Sequence, residues 1–251
     1  MTTTQSELDL TIFIPCYNEE QNIVPTLEVL LLALAGLKLS WEVIIIDDAS
    51  SDRTVENARA FIQTHPESNI QLKVCEQNQG LAHNYVDGAM MGKGKYYNQV
   101  CGDNVADVEA LRVLFQQIGT VDILIPYAAQ TPNRPWFRLV LSSLYTAIVN
   151  LISGHRLHYY NGLPIHLRTN VIRWHSNYYG FGYQADLLIR LIEEGATYRE
   201  VPVTQLDRKS GDSKALTAKN LLSIAHFFMD LIIRRIGNSF FGKEIRRRLN
   251  K

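Results

Sequence analysis

Cysteine is scarce in this chain. There are three in 251 residues, Cys16, Cys75 and Cys101, and no Cys-x-x-Cys or Cys-x-x-His spacing joins them. That excludes a disulfide framework and a cysteine-based zinc site, and fits a reducing compartment. Long apolar runs are also missing. A bilayer-spanning helix needs roughly 20 mainly apolar residues. Leu139 to Ser153 is uncharged but shorter, and Leu221 to Ile236 is interrupted by His226, Asp230, Arg234 and Arg235. Both read as amphipathic or interfacial helices, with Trp136, Phe137 and the arginines as anchors. Met1 to Asp9 has neither a basic start nor an apolar centre, so no secretory leader is expected and the stretch reads as a loose polar arm. No repeat or low-complexity tract appears, and 46% hydrophobic with 20% charged residues excludes general disorder.

Net charge is zero, with 25 Lys/Arg against 25 Asp/Glu, yet unevenly placed. Lys214 to Lys251 holds nine Lys/Arg and two Asp/Glu, which leaves residues 1–213 at −7. A basic end of this kind attracts phosphate-bearing surfaces; a solvated helix face is the plainer reading. No aromatic and basic stacking platform accompanies it, so nucleic acid is not an expected partner.

Runs rich in β-branched residues predict strands at Leu10–Ile14, Glu42–Ile46, Gln71–Glu76, Tyr96–Cys101 and Asp122–Pro126. Helices are expected over Glu20–Leu37, from Asp52 or Thr54 to Thr64, over Gly80–Met91 and over Val105–Gly119. The pattern then becomes helix-rich, ending in a long helical region over Ala215–Ile236. Strands alternating with helices imply an α/β fold with right-handed crossovers and a mainly parallel sheet. In such sheets ligands bind beyond the carboxyl ends of the strands.

Those ends are polar. Pro15-Cys16-Tyr17-Asn18-Glu19 follows the first strand, and Asp47-Asp48-Ala49-Ser50-Ser51-Asp52-Arg53-Thr54 follows the second. Asp47 and Asp48 suit a ribose hydroxyl or a base N–H, or else capping and turn formation. After the fourth strand comes Gly102-Asp103-Asn104-Val105-Ala106-Asp107. Mg²⁺ and Mn²⁺ take carboxylate oxygens together with diphosphate oxygens and need only one or two protein carboxylates. Asp103 is the natural candidate, and Asp107 either joins it or supplies a first-turn helix charge.

In order and spacing these segments, with Gln77-Asn78-Gln79-Gly80-Leu81 between them, resemble the inverting GT-A glycosyltransferases of family 2. Further on, Arg208-Lys209-Ser210-Gly211-Asp212-Ser213-Lys214 resembles the Arg-x-x-Gly-x-Ser-Lys motif of the polyprenyl-phosphate sugar transferases, the dolichol-phosphate mannose synthase branch. The resemblance implies a GT-A (Rossmann-like) domain over residues 1–214 and a basic amphipathic helical segment over 215–251, packed on it or on the membrane. It implies a nucleotide-sugar site made by Pro15, Tyr17, Glu19, Asp47, Asp48, Asn78, Gly80, Asp103 and Gln184. It implies a divalent metal, Mg²⁺ or Mn²⁺, at Asp103 and Asp107. Catalysis falls to Asp103, Arg208 and Lys214, and the acceptor phosphate to Arg138, Arg208 and Ser213. Asp186 falls, with Gln184, where the family has polar residues facing the sugar.

Three positions depart from the family pattern. Asp-x-Asp becomes Asp103-Asn104-Val105, an aspartate before a Ser-Gly pair is replaced within His158-Tyr159-Tyr160-Asn161-Gly162, and an arginine ending the fifth strand is replaced near Tyr127. The expected activity is hexose transfer from a GDP- or UDP-sugar to a polyprenyl phosphate, at the cytoplasmic face of the membrane. A membrane-protein partner is an alternative user of the basic tail. A non-lipid acceptor and a non-catalytic nucleotide-sugar binder are the alternative functions.

Overall fold

A computed structural model describes residues 8–130, 136–173, 182–204 and 218–249. Strand β1 (Leu8–Cys16) lies inside the sheet, and its Leu10 to Ile14 are fully buried. β2 (Trp41–Asp47) is likewise buried from Glu42 to Asp47. Strands covered on both faces read as nearly continuous apolar runs, which is why these two are plain in the sequence. β3 (Ile70–Val74) and β4 (Gly94–Gln99) complete a parallel block in the order β3-β2-β1-β4. α1 (Ile23–Leu34), α2 (Thr54–Thr64) and α3 (Leu81–Met91) make the crossovers.

The second half extends the sheet. α4 (Val108–Phe115) leads to β5 (Ile123–Gln130), and α5 (Trp136–Ser153) precedes β6 (Ile165–Leu167). α6 (Arg168–Ile172), α7 (Gly182–Glu193), β7 (Tyr198–Thr204) and α8 (Ala218–Leu249) follow. The seven strands run β3-β2-β1-β4-β6-β5-β7, with β6 antiparallel to both neighbours and β7 parallel to β5. The expected mainly parallel α/β sheet is therefore present.

Alternate strand residues feed two cores. Ile12, Ile14, Val43 and Ile45 face α1, α2 and α4. Phe13, Ile44 and Ile46 face the other way, among Tyr85, Tyr97, Tyr183 and Phe227 of α3, β4, α7 and α8. Burial pushes the phenols of Tyr85, Tyr97 and Tyr183 above their ordinary value. Tyr85 Oη lies 3.0 Å from Nε2 of His166, whose Nδ1 is 3.1 Å from the Leu167 carbonyl. His166 is fully buried, and that burial lowers its pKa to about 4.

α5 and α8 pack together on this second face but leave much apolar surface outside. Trp136, Val140, Leu144 and Leu151 of α5 are exposed, as are Leu222, Met229, Ile233 and Ile236 of α8. α5 is long and apolar enough to cross a membrane by length and composition, and only 17% of it is buried inside the protein.

Candidate active site

The sheet order reverses between β1 and β4: from β1 the chain moves outward to β2 and β3, then returns to the other side. At such a switch point the loops leaving neighbouring strands part in opposite directions and open a crevice. Pro15 and Cys16 form one lip and Gly102 and Asp103 the other. A Cβ on Gly102 would sit 2.9 Å from both Cys16 Sγ and the Pro15 carbonyl oxygen, so glycine permits this approach. Asp103 is 5% exposed. The Cys16 thiol is pushed well up by burial first, then by the charges of Asp47, Glu19 and Asp103 around it.

Two loops wall one side of the crevice, and they are laced together. Asn18, at φ 57°, donates its N–H to Ser50 Oγ at 2.9 Å, and its side-chain oxygen accepts the Ser51 N–H at 2.9 Å. Glu19 N–H donates to Thr54 Oγ1 at 2.8 Å, and Glu20 N–H to Asp52 at 3.1 Å. Burial pushes the Asp52 carboxyl up, but hydrogen bonds from the Thr54 hydroxyl and from backbone N–H groups outweigh it and hold it below its ordinary value. The side chain of Glu19 accepts from Asn22 Nδ2 at 2.7 Å, while Tyr17 stands 40% exposed on the rim.

The acidic pair divides its work. Asp47 accepts the Ser50 N–H at 2.9 Å and the Ser50 hydroxyl at 2.5 Å, closing the turn after β2. Asp48 accepts the N–H groups of Gln79 and Gly80 at 2.8 and 3.0 Å, and its carbonyl receives Asn78 Nδ2 at 3.2 Å. Asn78 and Gly80 are thus brought to the site through Asp48. Each carboxylate oxygen has a second lone pair for a ligand.

Asp107 is the N-cap of α4, its Oδ2 accepting from the N–H groups of Glu109 and Ala110, both at 3.1 Å. That is the helix-start role weighed against metal binding. Among the described residues no group of three or more His, Cys, Asp or Glu could hold a metal ion.

Gln184 is 5% exposed at the start of α7 and donates to Tyr183 Oη at 3.0 Å; Tyr183 in turn donates to Gln99 Oε1 at 2.6 Å. Gln99 is the last residue of β4. This chain of contacts was not anticipated, although Asn98 and Gln99 at the end of a central strand are polar residues where apolar ones are usual. Asp186 is two residues further along α7 than Gln184. Its carboxylate, 1% exposed, pairs with Arg190 at 2.9 Å and Arg234 at 2.6 Å.

An open pocket lies between α4 and the ends of β4, β5 and β7, lined by Asn98, Cys101, Asp107, Pro126, Asn161 and Thr204 among others. Gly162 packs against β5 so closely that a Cβ would collide with the Pro126 carbonyl oxygen. Beside β5 but outside the lining of this pocket, Tyr127 and His158 stack with centroids 4.5 Å apart at 15°, and His158 Nδ1 lies 2.9 Å from Glu200. Arg138 is exposed in the first turn of α5. Arg208, Ser213 and Lys214 lie outside the described residues.

The profile of the family "Glycosyl transferase family 2" matches residues 11–162. Dodecaprenyl-phosphate galacturonate synthase of Rhizobium johnstonii is 25% identical over 171 residues, covering 66% of this chain and 49% of the relative. Undecaprenyl-phosphate mannosyltransferase of Micrococcus luteus is 27% identical over 217 residues, covering 80% and 85%. The chain thus spans about half the length of the first of these relatives. Among solved structures, glucosyl-3-phosphoglycerate synthase from Mycobacterium tuberculosis, in complex with Mn²⁺, UDP-glucose and phosphoglyceric acid, superposes with a TM-score of 0.66 at 16% identity, over 92% of this chain and 80% of that one.

Proposed function

The chain belongs to glycosyl transferase family 2, and we propose that it transfers a hexose, with inversion, from a GDP- or UDP-sugar to a polyprenyl phosphate. The observation that carries this reading is the switch-point crevice, where buried Asp103 faces two loops already laced together by Asn18, Thr54 and Asp52. The relatives named above act on polyprenyl phosphates by their names, and the structural neighbour holds a nucleotide-sugar.

Pro15, Tyr17 and Glu19 with Asp47 or Asp48 would hold base and ribose, and Asn78 and Gly80 would shape that wall through Asp48. A divalent cation fits the donor set. One hard carboxylate, Asp103, lies in the crevice, and Mg²⁺ or Mn²⁺ commonly takes one or two carboxylates and completes its shell with phosphate oxygens and water. When bound it would neutralise charge on the leaving diphosphate. Asp107, whose Oδ2 serves the helix start, is the secondary candidate.

The acceptor needs little activation. A phosphate monoester has a second pKa near ~6, so its oxygen is already largely ionised at neutral pH and no strong base is required. What this chain's residues must do is align that oxygen with the anomeric carbon and stabilise the departing charge. Arg208 and Lys214 suit the second task, and Arg138 with Ser213 the holding of the acceptor phosphate. Gln184, a neutral amide, suits a sugar hydroxyl. The exposed apolar faces of α5 and α8, with the basic tail, suit a protein lying at the cytoplasmic membrane face, with residues 1–214 as the catalytic domain and 215–251 as its contact segment.

A second reading, transfer to a non-lipid acceptor, is favoured by the altered positions near Tyr127 and within His158 to Gly162, where the resemblance implies an arginine and an aspartate and where Tyr127 stacks on His158. One assay separates them: nucleoside diphosphate release from a panel of GDP- and UDP-sugars with Mg²⁺ or Mn²⁺, with and without short-chain polyprenyl phosphate. Release that requires the lipid phosphate supports the first reading. Release indifferent to it supports the second, and no release with any donor refutes both.

A further inference from the structure

Helix α8 is gripped by two successive arginines that reach in different directions. Arg235 Nη1 donates to the Ser153 carbonyl at the end of α5, and its guanidinium lies over Gly154, where a Cβ would come within 2.8 Å. Arg234 reaches the buried Asp186 of α7 at 2.6 Å, with Glu193 of the same helix 3.9 Å from its Nε. Phe227 and Leu231, both buried, fill the same side of α8, and Gly182 at the start of α7 packs directly beneath Phe227. The opposite side of α8 carries the exposed Leu222, Met229, Ile233 and Ile236.

Near the same end α7 is also tied to the sheet. Tyr183 and Gln184, one turn before Asp186, bond to one another and to Gln99, four residues before Asp103. α7 therefore joins two things: the outer apolar helix through Asp186, and the strand that presents Asp103 through Tyr183. A buried carboxylate between two guanidiniums resists displacement, because separating the pair leaves an uncompensated charge.

We propose that Asp186 and Arg234 are positioning residues, which set the register of α7 against β4 and so transmit the seating of α8 on a lipid surface to the sugar side of the site. This rests on the transferase reading and adds to it a role for the ion pair that joins α7 to α8. The Arg234→Gln variant tests it, since Asp186 keeps Arg190 as partner and the fold should survive.

Transfer to a short-chain polyprenyl phosphate is measured with and without phosphatidylglycerol and phosphatidylethanolamine vesicles. Vesicles should raise wild-type kcat several-fold. Arg234→Gln should lose that rise and about tenfold in kcat, with the donor KM within about twofold, and Arg234→Lys should recover part of the loss. Amide exchange in residues 182–185, measured without substrates, should slow on vesicles in the wild type and not in Arg234→Gln. A variant that keeps the vesicle response, a wild type that lacks one, or a parallel loss of donor KM and kcat overturns the proposal. If no chain transfers sugar, the transferase reading fails while the exchange comparison still decides the role of the ion pair.

Discussion

Acidification from pH 7.5 to 5 should weaken the fold by roughly 2 kcal/mol through the single side chain of His166. Its imidazole is fully buried between the Tyr85 phenol and the Leu167 carbonyl, and a lowered pKa of about 4 keeps it neutral in the native state. With Nδ1–H donated to the carbonyl, Nε2 accepts from the phenol, and a second proton would reverse that contact and bury a charge. An unfolded chain takes up the proton near 6.5, the folded one only near 4. Between those values the unfolded state binds more protons, so stability falls as pH drops through 6.5 and levels off below about 4. The full interval corresponds to roughly 3 kcal/mol, of which about two thirds is spent by pH 5.

Urea unfolding at pH 7.5, 6 and 5, compared between the wild type and His166→Gln, isolates the contribution. His155, whose pKa is also lowered chiefly by burial, acts in the same direction in both chains and cancels. The lowered carboxyls Asp9 and Asp52 contribute stability present above their unfolded pKa near ~4 and lost below it, outside this window. His166→Gln should be less stable at pH 7.5 but lose about 2 kcal/mol less on acidification. Parallel pH profiles for the two chains would refute the assignment.

Three further outcomes are expected. Asp103→Ala should slow sugar transfer by at least about 100-fold, roughly ~3 kcal/mol of barrier, with an unchanged unfolding midpoint; near-wild-type turnover would remove Asp103 from the site. Glu42 is fully buried at the far end of the sheet, where it accepts the Thr11 hydroxyl at 2.6 Å and the N–H groups of Lys93 and Gly94. Glu42→Ala should therefore cost about 3 kcal/mol of stability, read by chemical denaturation, and leave donor KM alone. Gly162→Ala, which forces a methyl into the Pro126 carbonyl, should lower both stability and transfer; a variant as stable as the wild type would contradict the packing of that loop on β5.

How much was legible depended on whether the signal was local. All five expected strands are present, because β1 and β2 are continuous apolar runs and β3 to β5 sit between clear turns. β6 was missed because its three residues cannot display an alternation. β7 was missed because it carries Arg199, Glu200 and Pro202; it is an edge strand, where charge and proline are tolerated. Helix α4 begins at Val108, not Val105, because Asp107 caps it.

At the site, strand-end loops could be read from their order, since each follows its own strand. The partners of those loops could not. Nothing in the sequence joins Asp186 to Arg234, 48 positions away, or stacks Tyr127 on His158. Such contacts arise only when α7 meets α8 and β5 meets the segment before β6. For Asp186 the resemblance gave a position in the chain but not its ion pairs with Arg190 and Arg234.

The placement of β6 has a consequence for how the chain is made. The sheet consists of two parallel ribbons, β3-β2-β1-β4 and β5-β7, joined among the described residues through this three-residue strand. Neither β4 nor β5 has its inner neighbour until residue 165 has left the ribosome. During that interval the first ribbon presents an open edge of Tyr96, Tyr97 and Asn98, the kind of template that recruits other strands. Nascent fragments ending before Ile165 should therefore associate with one another or with holdase chaperones, and fragments reaching beyond Leu167 should escape.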